Sequence, residues 1–155
     1  FAYRESRFKH ERGLVLSAVW QLQPEQDVEA TRTRMAEILI ERKAHQPLGM
    51  ASAGCVFKNL TQQSLADIER VERITNKRVP SPARERGIIP TGWLLDALGF
   101  KGYAHGTARI SDRHGNFFLS DREAKADDLV ELQTKIQEMV QEQCGLYVQA
   151  EAVVW

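Results

Sequence analysis

Leu129, Leu132, Ile136 and Val140 fall at three- and four-residue steps, and Gly145 stands where that run stops. This spacing puts four apolar side chains on one face of a helix, and glycine is the residue that most easily takes the left-handed conformation that ends one. The helix is expected to begin near Asp127. Ahead of it lie two short runs of strand character, near 104–111 and 116–120, with Asp112-Arg113-His114-Gly115 between them as a hairpin turn. Leu146 to Trp155 reads as a closing strand. Strands and helices mix along the chain without regular alternation, so the expected fold is α+β, with a mixed, mainly antiparallel sheet packed with helices.

The first half fits the same scheme. Gly13 to Leu22 is an apolar run that reads as a largely buried strand. Pro24 and Asp27 open a helix with Val28, Thr31, Met35, Ile38 and Leu39 on one face, ending near Ala44 ahead of Gln46-Pro47. Ser64 is placed to cap a second helix that carries Leu65, Ile68, Val71 and Ile74. Residues 76–90, with Pro80, Pro82, Gly87 and Pro90 among arginines and lysines, read as an exposed loop. Trp93 to Leu98 make a short buried helix stopped by Gly99.

At 155 residues the chain is long enough for one domain with a core. Basic and acidic side chains balance at 21 each, which argues against nucleic acid as the main partner. No apolar run approaches the ~20 residues that cross a bilayer. Two distant cysteines, Cys55 and Cys144, make no disulfide framework, so a reducing cytoplasmic setting is expected, with Cys144 a small buried hydrophobe. The four histidines share no metal-ligand spacing, and no metal is expected. The opening Phe1-Ala2-Tyr3 lacks an initiator methionine and reads as a chain cut from something longer.

Two segments carry possible chemistry. Around Cys55, Ser52-Ala53-Gly54 are small enough for close approach to a ligand, and a thiol with a reference pKa of ~8.5 is protonated at neutral pH and able to give a proton. Lys58 and Asn59 follow as groups for an anion and an amide or sugar. The residues alone favour a plainer reading, a tight turn with a buried cysteine. Tyr3-Arg4-Glu5-Ser6-Arg7-Phe8-Lys9 is basic and aromatic; it is either a solvated end or a fork for a carboxylate or phosphate. Glu151, between Val148 and Val153, either faces solvent or faces a site.

Tyr3-Arg4-x-Ser6-x-Phe8-Lys9, Ala53-Gly54-Cys55-x-Phe57-Lys58-Asn59, Gly92-Trp93-Leu94-Leu95-Asp96 with Gly99-Phe100-Lys101-Gly102, His114-Gly115-Asn116-Phe117 and the late Glu151 occur in that order. Together they resemble the UDP-N-acetylenolpyruvoylglucosamine reductase family over nearly the whole chain. The chain departs from the family pattern in having Cys55 for serine and Leu60 for proline. It is also short between Lys9 and Asp27, so the substrate-clamping tyrosine of some members has no counterpart here.

The resemblance implies a cytoplasmic, monomeric oxidoreductase. NADPH reduces FAD, and the substrate is UDP-N-acetylglucosamine enolpyruvate. It implies catalytic roles for Arg4, Cys55 and Glu151, with Arg4 on the substrate carboxylate and Cys55 as proton donor. Tyr3, Lys43, Lys58, Asn59 and His114 are implied in substrate binding. Lys43, at a helix end, has a second reading as a solvated lysine favoured by the macrodipole. Residues 1–12 are expected to be the end of a flavin-binding region, and residues 13–155 the substrate-binding domain. FAD is then held mainly by parts absent from this chain, and the isolated chain is inactive. The alternative is a stand-alone nucleotide-sugar-binding module without redox activity.

Overall fold

The computed structural model describes residues 5–24, 27–47, 50–120 and 125–153. These fall into two compact units, Phe1–Ala36 and Glu37–Trp155.

The second unit is built on a four-stranded antiparallel sheet. Its strands are β1 (Ala51–Cys55), β2 (Ala104–His105), β3 (Ala108–Ile110) and β4 (Phe117–Ser120), in the order β1-β4-β3-β2. The expected strand at 104–111 is therefore two strands. Gly106, in the left-handed region, folds the segment into a tight β2–β3 hairpin. The β3–β4 hairpin turns at residues 111–116, as expected, with Ile110 opposite Phe118. The α+β class and the antiparallel sheet are as the sequence indicates.

The helices are α1 (Val28–His45), α2 (Leu65–Thr75), α3 (Ser81–Arg84), α4 (Thr91–Ala97) and α5 (Ala126–Cys144). The helix α5 packs on the sheet, against β2 and β3, and a second helix, α2, packs on α5. In α5, Leu132, Ile136, Val140 and Cys144 are buried, and Gly145 closes the helix with φ 65°. Its amide donates to the Gln141 carbonyl at 2.8 Å. Burial pushes the Cys144 thiol above its ordinary range, so it stays protonated core. Ser64 caps α2 by accepting from the Asp67 amide at 3.1 Å. The buried face of α2 differs from the expected one. Ile68 and Val71 are buried, but Leu65 and Ile74 are exposed, and the charged Glu72 takes a place in the core.

Glu72 explains why 76–90 is less open than a basic loop should be. Its carboxylate accepts from the Val79 amide, Arg84 Nε and an Arg78 terminal nitrogen, each at 3.1 Å. Two arginines of the loop thus neutralise one buried acid, while Val79 and Ile89 enter the core. The loop also holds the single helical turn of α3. α4 is the expected short helix, with Leu94 and Leu95 fully buried and Gly99 at φ 81° beyond its end.

Among its described residues the closing segment is not a strand, and only Ala150 forms a bridge, to Phe57. Leu146 and Val148 are buried, so the alternation that suggested a strand is real, but the ladder of hydrogen bonds is short.

In the first unit, Asp27 caps α1 by accepting from the Ala30 amide at 2.9 Å. The strand expected at 13–22 does not form. These residues have no regular structure, and Leu16, Val19 and Trp20 are at least 80% exposed. An apolar run becomes a strand only where a neighbour supplies a hydrogen-bond ladder, and no described strand pairs with it. The helix that follows has its expected length. Its apolar positions Met35, Ile38 and Leu39 are exposed, so the face read as core-facing is not buried among the described residues. No helix among the described residues is long and apolar enough to cross a membrane.

Candidate functional site

β1 is an edge strand with an irregularity at its end. Ser52 faces Leu119 and Cys55 faces Phe117, so three steps along β1 match two along β4. The extra residue is a bulge, a device that bends a strand and re-aims the side chain after it. Gly54 makes the bulge possible with φ 82°, and a Cβ there would meet no atom within 4 Å. It is thus the backbone angle, not crowding, that calls for glycine. Ser52 Oγ accepts from the Gly54 amide at 3.0 Å. Cys55 emerges half-buried from this turn; the plainer expectation of a buried cysteine is not what is found.

Beyond Cys55 the backbone is held from three sides. Val56 donates its amide to the Asn116 carbonyl at 3.0 Å. Phe57 is bracketed by the Asn116 side chain, which accepts from its amide at 2.9 Å and donates to its carbonyl at 2.8 Å. The Phe57 ring is buried edge-on against Phe118, with centroids 5.7 Å apart. From the opposite side the C-terminal segment arrives. Lys58 donates its amide to the Gln149 carbonyl at 2.9 Å, and the amides of Glu151 and Ala152 donate to the Val56 carbonyl at 2.7 and 3.3 Å. Cys55 and Glu151, 96 positions apart in sequence by their numbering, are thereby tied to the same peptide neighbourhood. Glu151 is half-buried beside the bridge at Ala150, not on the open face of a strand.

Lys58 and Asn59 are oriented by Thr91, the first residue of α4 and fully buried. Its hydroxyl donates to the Lys58 carbonyl at 2.6 Å, and its amide donates to Asn59 Oδ1 at 3.1 Å. With its oxygen engaged, the Asn59 carboxamide turns its NH2 end away from Thr91, which presents a donor.

His114 lies in the β3–β4 turn, next to the end of β4 that pairs with Cys55. His114 stacks edge-on against Phe117, centroids 4.8 Å apart, and its Nδ1 accepts from the Asn116 amide at 3.2 Å, so the ring proton sits on Nε2. Burial lowers its pKa below the ordinary histidine value. The charge of Lys101 and, more weakly, His45 adds to this, while Asp96 opposes it. His114 is therefore neutral at pH 7 and can offer an N–H, not a charge. Gly92 leaves it room: a Cβ there would come within 2.7 Å of its Cε1. Lys43, in the last turn of α1, gives its carbonyl to an Arg113 terminal nitrogen at 3.4 Å. Its ammonium is not brought to Cys55 by any described contact. Tyr3 and Arg4 lie outside the described residues.

Three residues that sequence reasoning passed over belong to this frame. Asn116 and Lys101 stood inside quoted motifs without a role, and the Asn-Phe pair after a hairpin turn was the available signal for the first. Thr91 had none, because its partners are more than thirty positions away. Lys101 pairs with Asp96 at 2.9 Å. Among the described residues no group of three or more metal-ligating side chains gathers.

The fold and the site define an α+β domain in which Cys55, Lys58, Asn59 and the backbone of Glu151 meet around the end of one bulged edge strand. The sequence model of the family described as UDP-N-acetylenolpyruvoylglucosamine reductase, C-terminal domain, matches residues 46–155. Relatives named UDP-N-acetylenolpyruvoylglucosamine reductase include one from Pseudothermotoga lettingae, 30% identical over the whole chain, which spans 45% of that protein. One from Synechococcus is 30% identical over 97% of the chain and 40% of its own length. The solved structure of the Thermus caldophilus enzyme, UDP-N-acetylenolpyruvylglucosamine reductase (MurB), aligns over 85% of this chain and 37% of its own, with TM-score 0.55 and 32% identity. The chain belongs to the UDP-N-acetylenolpyruvoylglucosamine reductase family and carries its C-terminal domain. It spans less than half the length of these relatives.

Proposed function

We propose that this chain is the substrate-binding and proton-donating portion of a reductase that converts UDP-N-acetylglucosamine enolpyruvate to UDP-N-acetylmuramate, a peptidoglycan precursor, as a cytoplasmic monomer. The observation that carries the proposal is the bond from the Glu151 amide to the carbonyl of Val56, the residue after Cys55, which joins two segments with no local reason to meet. The relatives named above are reductases, and none favours the alternative of a nucleotide-sugar module without redox activity.

Reduction of an enolpyruvyl double bond adds a hydride to one carbon and a proton to its neighbour. In this proposal FAD, reduced by NADPH, supplies the hydride. The chain carries the family's C-terminal domain and spans less than half the length of its relatives; in this proposal the flavin is held mainly by the part of the enzyme outside this chain, with residues 1–12 as the end of that region and 13–155 as the substrate domain.

This chain's share is the proton and the grip on the substrate. Cys55 is half-buried at the end of the bulge, and in this proposal its thiol protonates C2. Negative charge that develops on the substrate carboxylate needs fixed positive groups or donors, which Arg4 and Glu151 provide in this proposal, Glu151 as a donor when protonated. The Asn59 amide, Lys58, Lys43, Tyr3 and the neutral His114 N–H serve the sugar and diphosphate.

In the complete enzyme, Cys55→Ala leaves flavin reduction by NADPH unchanged and slows reoxidation of reduced flavin by substrate about 10²–10⁴-fold, the usual worth of a general acid. Parental rates in both half-reactions would leave Cys55 a turn residue and defeat the proposal.

A further inference from the structure

Asn116 is buried, yet both ends of its carboxamide are spent on one residue that carries no chemistry. Its Oδ1 accepts from the Phe57 amide at 2.9 Å, its Nδ2 donates to the Phe57 carbonyl at 2.8 Å, and its own carbonyl accepts from the Val56 amide at 3.0 Å. The ladder between β1 and β4 is broken by the bulge just before Cys55. Past the bulge the ladder ends with Cys55 opposite Phe117, and these three bonds carry the hold beyond it. They fix the two peptides that follow Cys55. The same Val56 offers its carbonyl to Glu151.

An apolar residue of similar size would fill the space, so packing alone does not call for an asparagine. A buried amide that satisfies both backbone groups of one neighbour sets position, because each bond is directional and neither can be replaced by water at a site 2% exposed.

We propose that Asn116 is a positioning residue for Cys55: it sets where the thiol stands relative to Glu151 and the substrate, without touching the substrate itself. The inference rests on Cys55 as the proton donor. Displacing a reacting group by roughly 1 Å costs about 10²-fold in rate, whereas the binding groups Lys58 and Asn59 are held independently through Thr91. Loss of Asn116 therefore strikes the proton-transfer step and spares substrate affinity.

The test uses the complete enzyme and three variants: Asn116→Leu, Cys55→Ala and the pair combined. Reoxidation of reduced flavin by substrate is followed by stopped flow, substrate affinity by calorimetry, and folding by thermal melting. Asn116→Leu is expected to slow reoxidation about 10–100-fold, leave the affinity little changed, and add nothing further in the Cys55→Ala background, because it acts through the thiol. A parental rate in Asn116→Leu overturns the inference. So does a double variant slowed by the product of the two single effects, which marks a general structural loss. A parental rate in Cys55→Ala instead overturns the assignment of the proton donor. If Asn116→Leu does not fold, Asn116→Asp is compared with the parent across pH. Its protonated carboxyl can donate to the Phe57 carbonyl as the amide does, and its ionised form cannot, so its rate relative to the parent must recover on acidification. A ratio flat with pH overturns the inference.

Discussion

The backbone N–H of Glu151 donates to the carbonyl of Val56 at 2.7 Å, which places residue 151 beside the segment that follows Cys55. The tie is made by main chain alone, so the position of residue 151 survives a change of its side chain.

Glu151→Gln should therefore leave the fold intact and alter only chemistry. In the complete enzyme its melting temperature is expected to match the parent closely. The substrate-driven half-reaction should slow about 10²-fold or more, as for loss of a group that gives or shares a proton. A large fall in melting temperature with a parental rate would show a structural role instead.

Gly54→Ala probes the bulge. No atom lies within 4 Å of the new methyl, so it meets no clash, but φ 82° is a conformation that costs an L-residue about 1–2 kcal/mol. The chain can relieve that strain by straightening β1, which moves Cys55. The expected outcome is a loss of about 1 kcal/mol in denaturant unfolding, with a fall in the substrate-driven rate larger than that loss explains. An unchanged rate would separate the bulge from the chemistry.

Glu72 predicts an acid sensitivity. Burial raises its pKa, but the Val79 amide, Arg84 and Arg78 outweigh that and hold it below the ordinary glutamate range. A carboxylate lowered in the folded state contributes stability that is complete above its unfolded pKa of about 4.3 and is lost as pH falls through the folded value. Glu72→Gln should cost about 2 kcal/mol at pH 7, modest for a buried pair because Arg78 is largely exposed. The gap between variant and parent should close below pH ~4. Urea unfolding at pH 7 and pH 3.5 checks both, and a gap that widens in acid would refute the account.

His114 titrates low. Its pKa is set below that of an ordinary histidine by burial and by Lys101, so the folded state resists a proton that the unfolded state accepts below pH ~6.5. The stability linked to His114 is complete above that pH and declines as pH falls beneath it. An NMR titration of its ring protons should give a midpoint under ~6.5. A midpoint above that value would mean that Asp96 dominates its surroundings.

Local patterns were legible where local physics decides. The period of α5, its Gly145 cap, the Ser64 cap and the β3–β4 turn depend on neighbours a few residues away, and all stand where the sequence puts them. What failed depends on partners. Val19 and Trp20 have strand character without a described strand to join, and Leu146 to Trp155 alternates without a ladder. Glu72 gave no signal, because groups 6, 7 and 12 positions away make a core position of a residue that looks like surface. Within the candidate site, Cys55, Lys58 and Asn59 were visible as a contiguous stretch. The bulge, the Asn116 bracket and the Thr91 orientation were not, because each joins segments dozens of positions apart.

The Cys55 segment also separates two quantities that are coupled in most buried sites. Its backbone course comes from amides and carbonyls of the residues beside it. In the proposed mechanism, a thiol at this point in place of the hydroxyl of the family pattern changes the acidity of the donor while the main chain that carries it stays the same.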